Sequence, residues 1–455
     1  MKHVLLIAPL SKNSLMGGRF FFRMPCLGLL KLAALTPPSW RVTIIDEKVE
    51  PLSPNLEADL VGITTMTTTV ERGHEIADLY RHRGTKVVMG GMHASCLPGE
   101  ALRHCDSVVV GEAEELWPRL LADFDRQSLQ PVYRHRDGFP SLEGLPIPNW
   151  ELYREKPYLP VHFVETTRGC PIDCEFCAVT SAFGGRYRSR PQDDVIAELR
   201  TLRPFEGVFT LKNCVFFVDD NIISNRAYAR EFLTRIADFN LHWFGQASMN
   251  IAQDAQILEL CRKSGCVGLF LGFETLSPEA LAAIGKRVNH PDQYLEVVQR
   301  IHDHGIGIDG SFVFGLDSDD AGVFERTVEF VQKAKLEVAY FSILTPYPGT
   351  RLHQRLVAEG RLLSEQWSLY DGSHVVYRPK TFTPETLLSG YYQALKETFS
   401  LSSIVQRLWG TTAWKSFFYP MNFGFRQSVR GLARNAAQGW SEARPEPAKL
   451  LQPAN

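Results

Sequence analysis

β-branched runs alternate with helix-like segments, first before and again after a proline-rich stretch, and this pattern predicts an α/β protein over the 455 residues. The predicted fold class is an N-terminal doubly wound, Rossmann-like parallel sheet, then a partial (β/α)6 TIM-type barrel and a helical C-terminal region. The expected divisions are residues 1–137, a linker at 138–160, the barrel at 161–378 and the C-terminal region at 379–455.

The first strands are read at 4–7, 42–45, 60–63, 86–89 and 107–110. Near-continuous apolar runs suit strands buried on both faces of a parallel sheet. Ligands of such sheets bind beyond the carboxyl ends, where Asp46, Thr64-Thr65, Gly90-Gly91 and Gly111-Glu112 fall. Pro140, Pro146, Pro148, Pro157 and Pro160 then argue against a helix or a central strand, and mark the linker. Strand-like runs resume at 161–165, 214–218, 241–245, 267–273, 310–315 and 339–344, with amphipathic stretches between them. Six βα units suggest a partial or full barrel with its active site at the carboxyl ends of the strands. From Pro379 the pattern is helical. No acid occurs from 398 to 441, where Arg407, Lys415, Arg426, Arg430 and Arg434 alternate with Trp409, Trp414, Phe417, Phe418, Tyr419, Phe423 and Phe425. Residues 444–455 read as a loose tail.

Hydrophobic residues at 44% and charged residues at 22% are ordinary globular usage, which argues against a disordered or fibrous chain. A formal net charge of −2 supplies no basic field for nucleic acid. The apolar run near Met1 has no small-residue cleavage site and reads as a first strand, and no apolar stretch reaches the length of a bilayer span. Three of the nine cysteines crowd into eight residues, so a metal site in a reducing compartment, the cytoplasm, is expected rather than a disulfide framework.

Those three stand in Thr166-Thr167-Arg168-Gly169-Cys170-Pro171-Ile172-Asp173-Cys174-Glu175-Phe176-Cys177, a C-x3-C-x2-C arrangement directly after the first barrel strand. Soft thiolates suit an iron–sulfur cluster, and three of them leave one iron of a four-iron cube open to substrate or cofactor. A zinc site with a fourth ligand such as His162 is the alternative reading.

The loop and the strand ends after it resemble the radical S-adenosylmethionine (SAM) superfamily. The resemblance implies a [4Fe–4S] cluster on Cys170, Cys174 and Cys177. SAM then chelates the open iron, and one-electron reduction splits it to a 5′-deoxyadenosyl radical. It also implies contacts to SAM from three residues: Phe176 against the adenine, Asp219 in Phe217-Val218-Asp219-Asp220-Asn221 toward the amino group, and Glu274 in Gly272-Phe273-Glu274-Thr275 toward the ribose. Segments 310–315 and 345–350 match the fifth-strand element and the loop after the sixth. Bland readings stand beside each: a packing aromatic, a helix-capping acid, turn glycines and prolines.

Segments 25–34, 59–64, 90–94 and 111–112 resemble the cobalamin-binding domain fused to one class of these enzymes, which implies cobalamin near Thr65, Gly90 and Gly91. The Asp-x-His-x-x-Gly element that supplies a cobalt ligand elsewhere is absent from the sequence, and His93 is read as a local hydrogen-bonding residue. The implied activity is cobalamin-dependent methylation of an unactivated carbon. It would consume one SAM for the radical and one for the methyl group, with electrons from a flavodoxin- or ferredoxin-type reductant. A cobalamin-free radical enzyme catalysing C–C coupling, elimination or rearrangement is the alternative, and a non-catalytic cluster or zinc protein a third. The substrate is expected to be a small molecule or lipid-like. The basic aromatic stretch 398–441 is read either as a cap packed on the barrel or as a peripheral membrane contact.

Overall fold

The computed structural model describes residues 1–11, 23–53, 55–136, 138–203 and 213–439, excepting the side chains of 431–439. The tail at 444–455, the domain division at 137 and the Arg434 side chain lie outside the described residues. The chain forms two compact units, Met1–Pro171 with Ala178–Asp220, and Ile172–Cys177 with Asn221–Asn455.

The first unit opens with β1 (Lys2–Ala8), α1 (Leu27–Leu35), β2 (Trp40–Asp46), β3 (Leu60–Thr64), α2 (Val70–His82) and β4 (Lys86–Gly90). It continues through α3 (Met92–Cys96), α4 (Pro98–Ala101), β5 (Ser107–Val110), α5 (Leu116–Asp125) and β6 (Val132–Arg134). These six strands make one sheet in the order β2-β1-β3-β4-β5-β6, paired in parallel throughout. The reversal at β1 and β3 is a topological switch point of the kind that opens a crevice at the carboxyl ends. Val4, Leu5, Leu6 and Ile7 have no exposed surface, as a central strand covered by helices on both faces requires. β6 was not read in the sequence, because three residues with one buried side chain carry no periodicity. The proline-rich stretch forms no strand or α-helix, only one 3₁₀ turn at Trp150–Leu152.

The same unit ends with β7 (His162–Val164), β8 (Thr167–Arg168), α6 (Ala178–Phe183), β9 (Arg188–Ser189), α7 (Gln192–Thr201) and β10 (Cys214–Phe217). β7 pairs in parallel with β10, and β8 pairs antiparallel with β9, a two-residue ribbon too short to be read in sequence.

The second unit runs α8 (Arg226–Ile236), β11 (His242–Ala247), α9 (Ala255–Lys263), β12 (Cys266–Glu274), α10 (Pro278–Ala283), α11 (Tyr294–His302), β13 (Gly307–Phe314), α12 (Val323–Lys333), β14 (Val338–Ile343) and α13 (Arg351–Ala358). β11, β12, β13 and β14 pair in parallel in that order, so all six expected barrel strands form, two in one unit and four in the other. Side-chain caps start the helices where the sequence offers them: Asn225, Asp254, Ser277 and Thr350 each accept from a backbone N–H three residues on.

α14 (Pro384–Thr398), α15 (Leu401–Leu408) and α16 (Lys415–Gly439) complete the chain. Much of the basic aromatic stretch is a cap. Trp414 stacks on His242 at 4.8 Å, Phe417 lies 4.2 Å from Phe244, and Phe418 is 2% exposed against the same strands. Gly268 and Gly307, neighbours in register on β12 and β13, make room for Phe418: a Cβ on Gly307 would lie 2.4 Å from its ring. Arg407 has no exposed surface and donates to the carbonyls of Leu336, Glu337 and Thr398 and to Asn422 Oδ1, while burial pushes its guanidinium down to about 10. Arg426 donates to the Phe399 carbonyl. Phe418→Ala is expected to cost about 3–5 kcal/mol, the usual range for emptying a buried phenylalanine site; a shift of the urea midpoint measures it.

Candidate active site

The cysteine loop is held at both ends by hydrogen bonds that its flanks cannot make alone. On the first unit's side, Asp219 has no exposed surface and accepts from Thr166 N and Thr167 N, each at 2.7 Å, and from Thr166 Oγ1 at 2.5 Å. Asp220 accepts from Gly169 N at 2.8 Å. Asp219 therefore spends its carboxylate on the backbone that leads to Cys170. Burial pushes this carboxyl up to about 7, against the three bonds, which favour its charged form. Gly169 has φ +90 and sits where a Cβ would lie 1.9 Å from the Arg186 carbonyl oxygen, so only glycine lets β8 and β9 close beneath the loop.

Residues 172–177 belong to the second unit. Glu175 N donates to the Ile284 carbonyl, and Leu352 N donates to the Glu175 carbonyl. The Arg355 guanidinium grips both Glu175 oxygens at 2.6 and 3.1 Å, and Arg351 holds Asp173. Cys174 is 8% exposed, Cys170, Cys177 and Phe176 are half-buried, and Cys177 N donates to the Cys174 carbonyl. Among the described residues no three His, Cys, Asp or Glu side chains come together as a ligand set for one metal ion. His162 is committed elsewhere: Nε2 lies 2.9 Å from the Arg203 carbonyl and the ring stands edge-on to Trp150.

Glu274 ends β12 after a register shift, with φ +64, a left-handed conformation that costs a non-glycine residue of order 1 kcal/mol or more. Its carboxylate is paired with Lys286, and Gly272 leaves the space for them, since a Cβ there would lie 2.3 Å from Glu274 Oε1. Burial disfavours the Lys286 charge, but Glu274 and the sulfurs of Cys174 and Cys177 more than offset this and hold the ammonium above its ordinary value. An ion pair thus lies in the field of two of the three thiols.

Further along the same four-stranded face, alternation brings Asp309, Ser311, Tyr340 and Ser342 to one side of β13 and β14. Only Ser311 lay in a segment singled out in the sequence, 310–315; for Asp309 a lone acid inside an apolar strand was the available signal. Asp309 Oδ1 is enclosed with no hydrogen-bond partner among the described residues. Burial raises the Tyr340 phenol, with Asp371 and Asp309 adding to it, and Asp371 itself accepts from Ser373 and lies 3.0 Å from His374 Nδ1. Burial also pushes Asp309 up to about 7. The folded chain therefore keeps a proton that the unfolded chain releases at the ordinary carboxylate value. The associated stability is complete below that value and is lost as pH rises through about 7. Asp309→Asn removes the group, so the melting temperature of the variant relative to wild type should rise between about pH 4 and pH 7 and level off above; a constant difference would contradict this titration.

At the carboxyl edge of the N-terminal sheet, Thr65 and Gly90 come together: Thr65 N and Oγ1 donate to the Gly90 carbonyl at 2.8 and 3.2 Å. Gly91 has φ +94, and a Cβ on it would lie 2.7 Å from both Thr65 N and Thr65 O, so β3 and β4 meet here backbone to backbone. Gly91→Ala is expected to cost about 2 kcal/mol or more, read from the thermal midpoint. Gly111, with φ +83 and nothing within 4 Å of a Cβ position, leaves the edge open after β5. A flat cofactor face meeting an edge with few side chains fits such an arrangement. His93 is 1% exposed with Nε2 3.6 Å from Glu100 Oε1, inside the domain rather than on its edge.

The "Radical SAM superfamily" family model matches residues 164–335, and the "B12 binding domain" model matches 15–121. The bacteriochlorophyllide d C-12(1)-methyltransferase of Chlorobaculum tepidum is 32% identical over 415 residues, 90% of each chain. The chain belongs to the radical SAM superfamily. The bacteriochlorophyllide d C-8(2)-methyltransferase of the same organism is 29% identical, covering 83% of this chain and 86% of that one. The hopanoid C-2 methylase of Rhodopseudomonas palustris is 30% identical, covering 75% and 66%. Among solved structures, the radical SAM methyltransferase TsrM from Kitasatospora setae matches with a TM-score of 0.66 and 16% identity, over 96% of this chain and 100% of that one. The fold is thus a Rossmann-like B12-binding domain followed by a radical SAM partial barrel and a helical C-terminus, as the sequence predicts. The protein is an enzyme of the cobalamin-dependent radical SAM methyltransferase class. Its two family domains are those of a [4Fe–4S] cluster with SAM and of cobalamin. Among the described residues no helix is long and apolar enough to cross a membrane.

Proposed function

We propose that this radical SAM enzyme methylates an unactivated carbon of a small tetrapyrrole-type substrate, with Cys170, Cys174 and Cys177 as the cluster ligands. The observation that carries the reading is the cysteine loop itself, clamped by Asp219 and Asp220 before Cys170 and by Glu175 and Arg355 between Cys174 and Cys177. When bound, the cluster and SAM supply a hydrogen-abstracting radical, and cobalamin supplies the methyl group. The protein's part is placement. Phe176, half-buried beside the third cysteine, is assigned to the adenine, and the Glu274–Lys286 pair to the ribose and the field around the thiols. Asp219 is assigned to positioning Thr166–Thr167 rather than to the amino group of SAM, because its oxygens are already engaged. Thr65, Gly90 and Gly91 are assigned to the corrin edge, without a histidine from the missing Asp-x-His-x-x-Gly element.

The two bacteriochlorophyllide d methyltransferases among the relatives support a tetrapyrrole substrate. A flavodoxin- or ferredoxin-type protein would supply the electron, in the cytoplasm. The exposed Leu401 and Val405 on α15 and Trp409 just past its end, spaced by four within an acid-free stretch, support a peripheral membrane contact for the enzyme when it takes up an apolar substrate. Anaerobic incubation of the cluster-reconstituted, cobalamin-loaded enzyme with bacteriochlorophyllide d and SAM tests the substrate class. A product heavier by one methylene supports it, and methylation of hopanoid only would overturn it.

A further inference from the structure

Six charged side chains of the first unit meet between the corrin edge and the approach to Cys170. Arg168 is at the centre. Its Nε and Nη2 donate to the two oxygens of Glu165 at 2.9 and 2.8 Å, Nη2 also donates to Glu114 Oε1 at 2.8 Å, and Nη1 donates to Glu112. Arg188 holds both oxygens of Glu112 and donates to the Pro140 carbonyl at 2.7 Å. Lys31, on α1, pairs with Glu165 Oε2 at 2.5 Å. Burial pushes Glu165 up, but Lys31 and Arg168 outweigh it and bring the carboxyl well below its usual range.

Three cations face three anions, and the central ones are enclosed: Glu112 is 5% and Arg168 8% exposed at the side chain. Buried ion networks of this kind add little stability over apolar packing of the same volume, but they fix one arrangement and penalise the rest. Here the arrangement joins two places. Glu112 follows Gly111, the open position after β5, and Arg168 lies in β8, two residues before Cys170. Arg188, on the paired strand β9, holds the same carboxylate, so both strands of the ribbon are tied to the end of β5 through Glu112.

We propose that the Glu112–Arg168 pair is a positioning device that couples occupancy of the corrin edge to the order of residues 165–170, ahead of the cluster. The proposal rests on the cobalamin reading above. A corrin seated over Gly111 restrains Glu112, Glu112 restrains both arginines, and the ribbon holds Cys170 still. Arg168 and Glu112 act through the loop, not on the reacting atoms.

The amide hydrogens of Thr166, Thr167 and Gly169, donated to Asp219 and Asp220, report opening of this segment directly. Hydrogen exchange of residues 165–171 is therefore measured anaerobically on the full-length, cluster-reconstituted chain, with and without hydroxocobalamin. In wild type the corrin should slow exchange about tenfold. In Glu112→Gln, corrin absorbance should persist while the slowing is lost, and Glu112→Asp should restore part of it. The ratio of 5′-deoxyadenosine to S-adenosylhomocysteine should rise in Glu112→Gln, since radicals would form beside a poorly placed partner. Corrin binding to wild type without any change at 165–171 overturns the coupling, and needs no variant to fold. Full slowing in Glu112→Gln overturns the assignment to Glu112. Wild type that takes up no corrin at all refutes the cobalamin reading, and the coupling falls with it.

Discussion

Cys174→Ala is expected to reduce SAM cleavage to background while leaving the protein folded. Cys174 is the most enclosed of the three loop cysteines, at 8% exposure, and the loop around it is fastened by Glu175, Arg355 and the Ile284 carbonyl. Removing one sulfur leaves those restraints in place. It takes away a third of the protein ligands of a cluster whose remaining iron must stay open. Iron and sulfide content, the cluster absorbance after reconstitution, and 5′-deoxyadenosine release measure the effect together. Retained cleavage would refute the ligand assignment; lost cleavage with lost folding would be separated by far-ultraviolet circular dichroism.

Asp219→Ala should destabilise the protein by about 3–5 kcal/mol. The carboxylate accepts three hydrogen bonds in a place water does not reach, and truncation leaves two backbone N–H groups and one hydroxyl without their acceptor. Asp219→Asn should cost less, because its amide oxygen can still accept from the backbone pair. These figures distinguish the two roles open to Asp219. A residue that receives the amino group of SAM would, when truncated, raise the KM for SAM with the urea midpoint unchanged. A residue that builds the approach to Cys170 lowers the midpoint and the cluster content together.

The strand pattern was legible because parallel strands buried on both faces leave continuous apolar runs, and 4–7, 42–45 and 267–273 fall inside β1, β2 and β12. β6, β8 and β9 were not, since two or three residues have no period to detect. The cysteine loop was visible as spacing, but its anchoring was not. That Asp219 turns inward onto Thr166 and Thr167 depends on a contact across more than fifty residues, which no local pattern encodes. The same holds for the Glu112–Arg168 pair, whose partners are 56 residues apart, while Lys286 reaches Glu274 across only 12 residues but through a turn and helix after β12 that set no period of their own. Asp309 and Tyr340 stand on one face only because β13 and β14 pair in a particular register. In the C-terminal stretch the sequence left a cap and a membrane contact side by side. Trp414, Phe417 and Phe418 went to the cap because Gly268 and Gly307 open a seat on the strands, whereas Leu401, Val405 and Trp409 face outward.

The most direct test of cobalamin-dependent methylation is a product count under anaerobic single-enzyme turnover. Cluster-reconstituted protein carrying cobalamin is given SAM, a one-electron reductant and bacteriochlorophyllide d, and 5′-deoxyadenosine, S-adenosylhomocysteine and methylated product are quantified together. All three rising in step is the predicted result. Deoxyadenosine alone, with no S-adenosylhomocysteine and no corrin absorbance, would contradict it and point to radical chemistry without methyl transfer.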